Sequence, residues 1–215
     1  MPEEIKIAET APEEAADMDA REYVIELKKP HIFDRKEYAE IDLGGLERLT
    51  IQDAIDAQQD LFGQQDVASS LLCETTSSFA MEIAAKASGL PIEFFKTLSI
   101  GAGRKVKRAV QAYIRRSGNS EGTVLRLDKP YHFQGEVYQE FDLSPIADMS
   151  MMQESAAENV MAREGFVITE NSFNYLYACV IASMAVNKPK ELFTGLPLCE
   201  LLNLKEAVNN SDFFE

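Results

Sequence analysis

The residues that could carry chemistry are few and widely spaced. His31 and His132 each stand near the end of a run that reads as a strand, with no Cys or carboxylate around them at metal-ligand spacing. Cys73, Cys179 and Cys199 are an odd number, lie far apart, and fit neither a disulfide nor a zinc framework. None has a His partner at nucleophile spacing, and Cys179 falls on an apolar helical stripe, so all three read as buried, inert thiols. Two histidines so placed cannot complete a Ser-His-Asp set. The adjacent acids Glu13-Glu14 lie in a segment with nothing to hold two carboxylates in acid–base geometry. Gly101-Ala102-Gly103-Arg104-Lys105 suggests a phosphate cradle at a helix start, but it lacks the Gly-Lys-Ser/Thr ending of a nucleotide loop. It reads better as the start of an ordinary helix. The residues therefore indicate no catalytic, cofactor-binding or metal site.

Three groups point instead to the binding of protein chains. Met149, Met151, Met152 and Met161 cluster around one predicted helix. Flexible, polarisable methionines either fill a core or line an adaptable apolar groove. Arg104, Lys105, Lys107, Arg108, Arg115 and Arg116 gather positive charge on another predicted helix. They form a solvated face or a docking surface for an acidic partner. Phe213 and Phe214 stand beyond the last predicted helix, where they either close over the core or offer an apolar peptide.

Charge narrows the classes further. With 21 basic and 36 acidic residues in 215, the formal charge is −15, which repels phosphate backbones and argues against general nucleic-acid binding. No apolar run approaches the length needed to cross a membrane. The start, Met1-Pro2-Glu3-Glu4, has neither the basic residues nor the apolar segment of a secretory signal. A reducing cytoplasm is the expectation.

The elements that must position these residues emerge from an internal repeat. Residues 23–43 match 123–143 at nine of 21 positions, among them Val24, Leu27, Lys29, Pro30, Tyr38, Glu40 and Leu43. The register then slips by two, and residues 83–110 match 181–208 at ten of 28 positions, including Ile83, Pro91, Phe95, Leu98 and Lys107. Two blocks in the same order mark a tandem duplication. The chain divides into a disordered acidic leader over 1–21, a first unit over 22–116, a flexible Ser-Gly-Asn linker over 117–122 and a second unit over 123–215.

Each unit reads as α+β, an N-terminal β-hairpin followed by three to four α-helices. Alternating residues up to Lys29-Pro30 and Lys129-Pro130 predict a strand stopped by proline. Turns at Asp34-Arg35-Lys36 and Gln134-Gly135-Glu136 then lead to a return strand at Tyr38–Leu43 or Tyr138–Leu143. Thr50 with Asp53, and Ser150 with Gln153, predict helix N-caps. Further helices are expected over 75–88 and 171–186, just after Pro91 and Pro189, and over 103–116 and 198–209. A lone hairpin is marginal in water, so its apolar face should cover the helices or the two hairpins should pair. A pseudo-symmetric packing of the halves is expected over independent units on a string.

The Leu-x-Lys-Pro strand end, the Tyr-x-Glu-(Ile/Phe)-Asp-Leu return strand, and Gly89-Leu90-Pro91 through Leu98 before a last helix follow one another in a distinctive order. In that order the unit resembles the tail assembly chaperones of tailed phages and prophages, in particular the small Mu-like type. The second copy repeats the pattern at Leu127–Pro130, Tyr138–Leu143 and Lys188-Pro189 through Leu196, without the Gly. The resemblance implies a non-enzymatic protein, without cofactor or metal, that coats the long helical tape measure protein in the host bacterial cytoplasm. It implies release as tail tube subunits polymerise, and absence from the mature virion. The partners it implies are the tape measure protein and the tail tube protein, with self-association as a further expectation and no nucleic acid or membrane. A structural or scaffold component retained in the tail is the rival reading, and a small nucleotide or RNA binder using the 104–116 basic face is the third.

Overall fold

The computed structural model describes residues 22–64, 72–118, 122–166, 171–210 and 213. The expected leader over 1–21 and Phe214 lie outside them.

Both units open with an antiparallel hairpin: β1 (Val24–Phe33) with β2 (Lys36–Asp42), and β3 (Val124–Phe133) with β4 (Glu136–Asp142). The turns are shorter than expected, Asp34-Arg35 and Gln134-Gly135, and all four residues have positive φ. Two successive left-handed residues match the strand twist, which is why a two-residue connection suffices. Nor does proline stop the strands. Residues 27–30 stand opposite Ala39 alone, and 127–130 opposite Gln139 alone, so Pro30 and Pro130 sit inside a wide bulge. In a two-stranded sheet every strand has a free edge, and a missing N–H there costs no ladder bond.

Four helices follow in each unit. The first has α1 (Ile51–Gly63), α2 (Ser77–Ser88), α3 (Ile92–Lys96) and α4 (Ile100–Ile114). The second has α5 (Met151–Arg163), α6 (Tyr175–Ala185), α7 (Lys190–Thr194) and α8 (Leu201–Val208). The two predicted capping boxes are present: Thr50 N–H donates to Asp53 at 3.0 Å and Ser150 N–H to Gln153 at 2.9 Å. Gly89 closes α2 at φ +70°, and its counterpart Asn187 holds φ +51°. Asparagine tolerates the left-handed region, so the second copy keeps the helix stop without the glycine.

The hairpins do not pair with each other. Each lies over its own helices, with Ile25, Ile41 and Leu43 buried in the first unit and Leu125, Phe141 and Leu143 in the second. The units meet through helices. α6 is buried along Tyr175–Ser183 because α5, α7 and α8 surround it within its unit and α1 of the other unit covers what remains.

That junction is not the pseudo-symmetric one expected. Leu49–Ile51 of the first unit pairs, strand-like, with Leu196–Leu198 of the second: Ile51 N–H donates to Leu196 O and Leu198 N–H to Leu49 O, both at 2.9 Å. The counterparts Met149–Met151 and Leu98–Ile100 make no such pair with one another. One surface of the first unit meets a different surface of the second, which is a heterologous contact. Polar groups seal it. Gln58 donates to Phe173 O at 3.0 Å and accepts from Tyr175 N–H at 3.1 Å. Glu74 accepts from Tyr175 OH at 2.7 Å and from Lys205 at 2.5 Å. Ser117, expected in a flexible linker, is itself buried, its hydroxyl donating to Glu200 at 2.5 Å.

Candidate functional site

The singled-out residues fall into an exposed set and a buried set. Ser150 caps α5 and turns its first residues outward, leaving Met151 and Met152 each 78% exposed, while Met149 is half-buried against the core. Met161, nearly three turns further along α5 than Met151, is buried in the core and lines no open groove. Phe213 is likewise buried, so it closes over the core rather than offering a free apolar peptide.

The basic residues lie on α4, which starts three residues earlier than the sequence suggests because Ser99 caps it, accepting from Ala102 N–H at 3.4 Å. Gly101 and Gly103 thus belong to its first turn. Arg104, Lys105 and Arg108 are exposed. Lys105 reaches across to β1 and donates to Glu26 O at 2.7 Å, fastening helix to hairpin. Arg104 and Arg108 have no acidic partner among the described residues. Arg116 is used internally, donating to Tyr23 OH at 3.0 Å and lying 3.7 Å from Glu47. The methionines and the basic residues therefore occupy different units, and the fold does not assemble them into one site.

Two clefts flank the start of α4. One, of about 410 Å³, lies between β1 and α4 and is walled by Leu27, Pro30, His31, Leu98 and Ala102. The other, of about 370 Å³, lies against α2 and α3 and is walled by Ala80, Met81, Phe95, Leu98 and Ile100, with Lys96 and Arg104 at its margin. Both are apolar with a cationic rim, which suits an amphipathic helix bearing acidic residues.

The other residues weighed for chemistry are structural. His31 packs edge-on against Phe94 at 4.9 Å, with Nε2 3.2 Å from Thr97 Oγ. Its counterpart is Tyr131, and His132 is exposed one position on. All three cysteines are buried and outside any disulfide. Burial pushes the Cys179 thiol far up, and burial with Glu200 and Asp128 nearby raises Cys199 to about 11. Thiols so held stay protonated and unreactive at neutral pH. Among the described residues no group of three or more His, Cys, Asp or Glu is placed to hold a metal ion, and no helix is long and apolar enough to cross a membrane.

Sequence reasoning missed Ile100, which is 75% exposed, and the buried polar residues Gln58, Glu74, Glu200 and Asn203. Aligning the copies holds the signal for Ile100. It occupies the place of Leu198, so the position is apolar in both units although only one of them buries it. Comparison with known protein families, with curated proteins and with solved structures finds no match.

Proposed function

We propose that this chain is a non-enzymatic tail assembly chaperone of a phage or prophage, binding the tape measure protein in the host cytoplasm and keeping it soluble while the tail forms. The observation that carries this reading is the unit itself, a bulged hairpin followed by four helices, present twice in one chain. The order of its motifs is what resembles the small Mu-like chaperones, and both copies keep that order as folded elements.

The surface is consistent with such a role. A long amphipathic client exposes an apolar stripe that aggregates unless covered. The apolar cleft between β1 and α4 admits one or two client side chains, and Lys29 and Lys105 beside it suit acidic groups on the client. A charge of −15 keeps a chaperone–client complex in solution.

The test is co-expression with the tape measure protein encoded beside it. The two should co-purify as a soluble complex, while the tape measure protein alone precipitates. A client that stays insoluble and never co-purifies ends the proposal. Mass spectrometry of purified particles separates the chaperone, which is absent from them, from a tail component that stays.

A further inference from the structure

The unequal junction between the units leaves the counterparts of both of its halves unpaired with each other. On the second unit, α1 sits against α6, α7 and the turn at Leu198–Glu200. The counterpart seat on the first unit, formed by α2, α3 and the start of α4, is the cleft of about 370 Å³. The counterpart of the helix start that fills such a seat is Met149–Met152 at the head of α5, where Ser150, Met151 and Met152 are exposed and Met149 is half-buried.

The matching residues carry the comparison in detail. Ile51 and Leu198 are fully buried in the internal junction, whereas their counterparts Met151 and Ile100 are 78% and 75% exposed. All four are large and apolar, which solvent alone does not demand. The backbone is already shaped for pairing. Ser99 (φ −59°, ψ 149°) repeats Pro197 (φ −52°, ψ 144°), and Ser150 is extended as Thr50 is. The N–H groups of Met151 and Ile100 lie in the first turns of their helices, where no helical acceptor exists. Opposite charges flank the two faces: Lys96 and Arg104 at the cleft, and the half-buried Glu154 and Glu158 on α5. Within their own unit these two acids also accept from Tyr177 OH at 3.3 Å and Asn171 Nδ2 at 3.0 Å.

We propose that the chain associates with a second copy of itself head to tail, the Met149–Met152 segment of one copy entering the cleft at Leu98–Ile100 of the next. This repeats between copies the strand-like pair of the internal junction. Further along the helix Glu154, Ser155 and Glu158 stand where α1 has Ala54, Ile55 and Gln58, so the contact is confined to the helix head. Met151 N–H donates to Leu98 O of the second copy, whose Ile100 N–H donates to Met149 O. Methionine suits the cleft because its unbranched chain adapts to a seat that isoleucine fills in the internal version. A heterologous contact leaves one free head and one free tail after every addition, so it continues into rings or filaments rather than stopping at a dimer.

The experiment uses the purified full chain, without any client, in sedimentation velocity and light scattering across concentration and salt. The wild type should climb with concentration past twice the 24.0 kDa chain mass, and added salt should weaken the climb. Met151→Asp and Ile100→Asp, both at exposed positions where folding is little affected, should each be monomeric alone. Mixed one to one, they should form a dimer and nothing larger, because one keeps a working tail and the other a working head. A wild type that stays monomeric at every concentration overturns the proposal, as it would if the chain's own terminal residues filled the cleft. So does an Ile100→Asp chain that still self-associates, since that is the behaviour of two methionine faces paired about a two-fold axis. Binding of the tape measure protein is not read in these measurements, so the outcome stands apart from the chaperone proposal.

Discussion

Glu74 in the first unit and Lys205 in the second meet at 2.5 Å across the junction, with only 6% and 12% of their side chains exposed. Tyr175 OH donates to the same carboxylate at 2.7 Å. Burial alone would raise the Glu74 carboxyl, but the bonds from Lys205 and Tyr175 outweigh it and hold the group below its ordinary 4.5. The two units are thus locked by a charged pair that neither unit satisfies alone.

A group whose folded value is depressed stabilises the protein above its unfolded value, and that contribution disappears as pH falls through the folded value. Glu74→Gln leaves the Lys205 ammonium without its counter-charge in a nearly closed site and should cost about 3 kcal/mol at pH 7. The gap between wild type and variant should close as the pH drops from 4.5 downward. Denaturant titrations at several pH values measure it, and a gap that is constant with pH would show that the pair contributes through packing alone.

Glu200 organises a second seam. Its carboxylate accepts from Ser117 OH at 2.5 Å, from Asp128 N–H at 2.7 Å and from Asn203 Nδ2 at 2.8 Å. Glu200→Ala takes the acceptor from the Ser117 hydroxyl and the Asp128 N–H, while Asn203 Nδ2 keeps Arg126 O at 2.8 Å. With about 1–3 kcal/mol for each of the two groups left unpaired, a loss of at least about 2 kcal/mol is expected. Amide exchange at Ser117 and Asp128 should quicken at the same time, because Glu200 is what ties both to α8.

The hairpins, their order and the capped helices were legible because they rest on local rules: alternation, a two-residue turn, and caps at a fixed offset from the first apolar residue. Thr50 with Asp53 and Ser150 with Gln153 could be read without any knowledge of the fold. The strand's passage through Pro30 could not, since it depends on the partner strand being the only neighbour. Nor could the junction. Ile51 and Met151 look alike as isolated positions, and only the packing of the whole chain decides that one is buried and the other is not. Glu74 and Glu200 read as surface acids because, Asn203 beside Glu200 apart, their side-chain partners come from residues at least 72 positions away.

The duplicated units have also exchanged a pair of residues. Where the first has His31 beside Thr97, the second has Tyr131 beside Gly195, and a Cβ placed on Gly195 would stand 2.6 Å from Tyr131 Oη. The larger ring thus takes the space the smaller residue leaves. Gly195→Thr should cost about 1–3 kcal/mol through overpacking. Adding Tyr131→His, which rebuilds the first unit's pair, should recover most of that loss. A double-mutant cycle on thermal stability reads the coupling, and independent, additive effects would mean the two sites had drifted separately.

Three glycines separate the effects of space and backbone freedom. A Cβ on Gly45 would lie 1.9 Å from the main-chain oxygen of Ala87, so the 3-10 turn at Gly44–Arg48 rests directly on α2. Main chain cannot swing aside as a side chain does, and Gly45→Ala should cost more than about 3 kcal/mol. Gly101, in the first turn of α4, has nothing within 4 Å of its would-be Cβ and ordinary helical geometry. Alanine there should stabilise by about 0.5–1 kcal/mol, because it removes only freedom from the unfolded chain. Gly89 also has open space, but its φ of +70° makes a side chain strained, so Gly89→Ala should destabilise by about 1 kcal/mol. Gly89→Asn should cost less than Gly89→Ala, as Asn187 already performs the same task in the second unit. Thermal melts of the four variants check the ranking. A Gly101→Ala chain less stable than wild type would place a contact at the head of α4 that the fold does not contain.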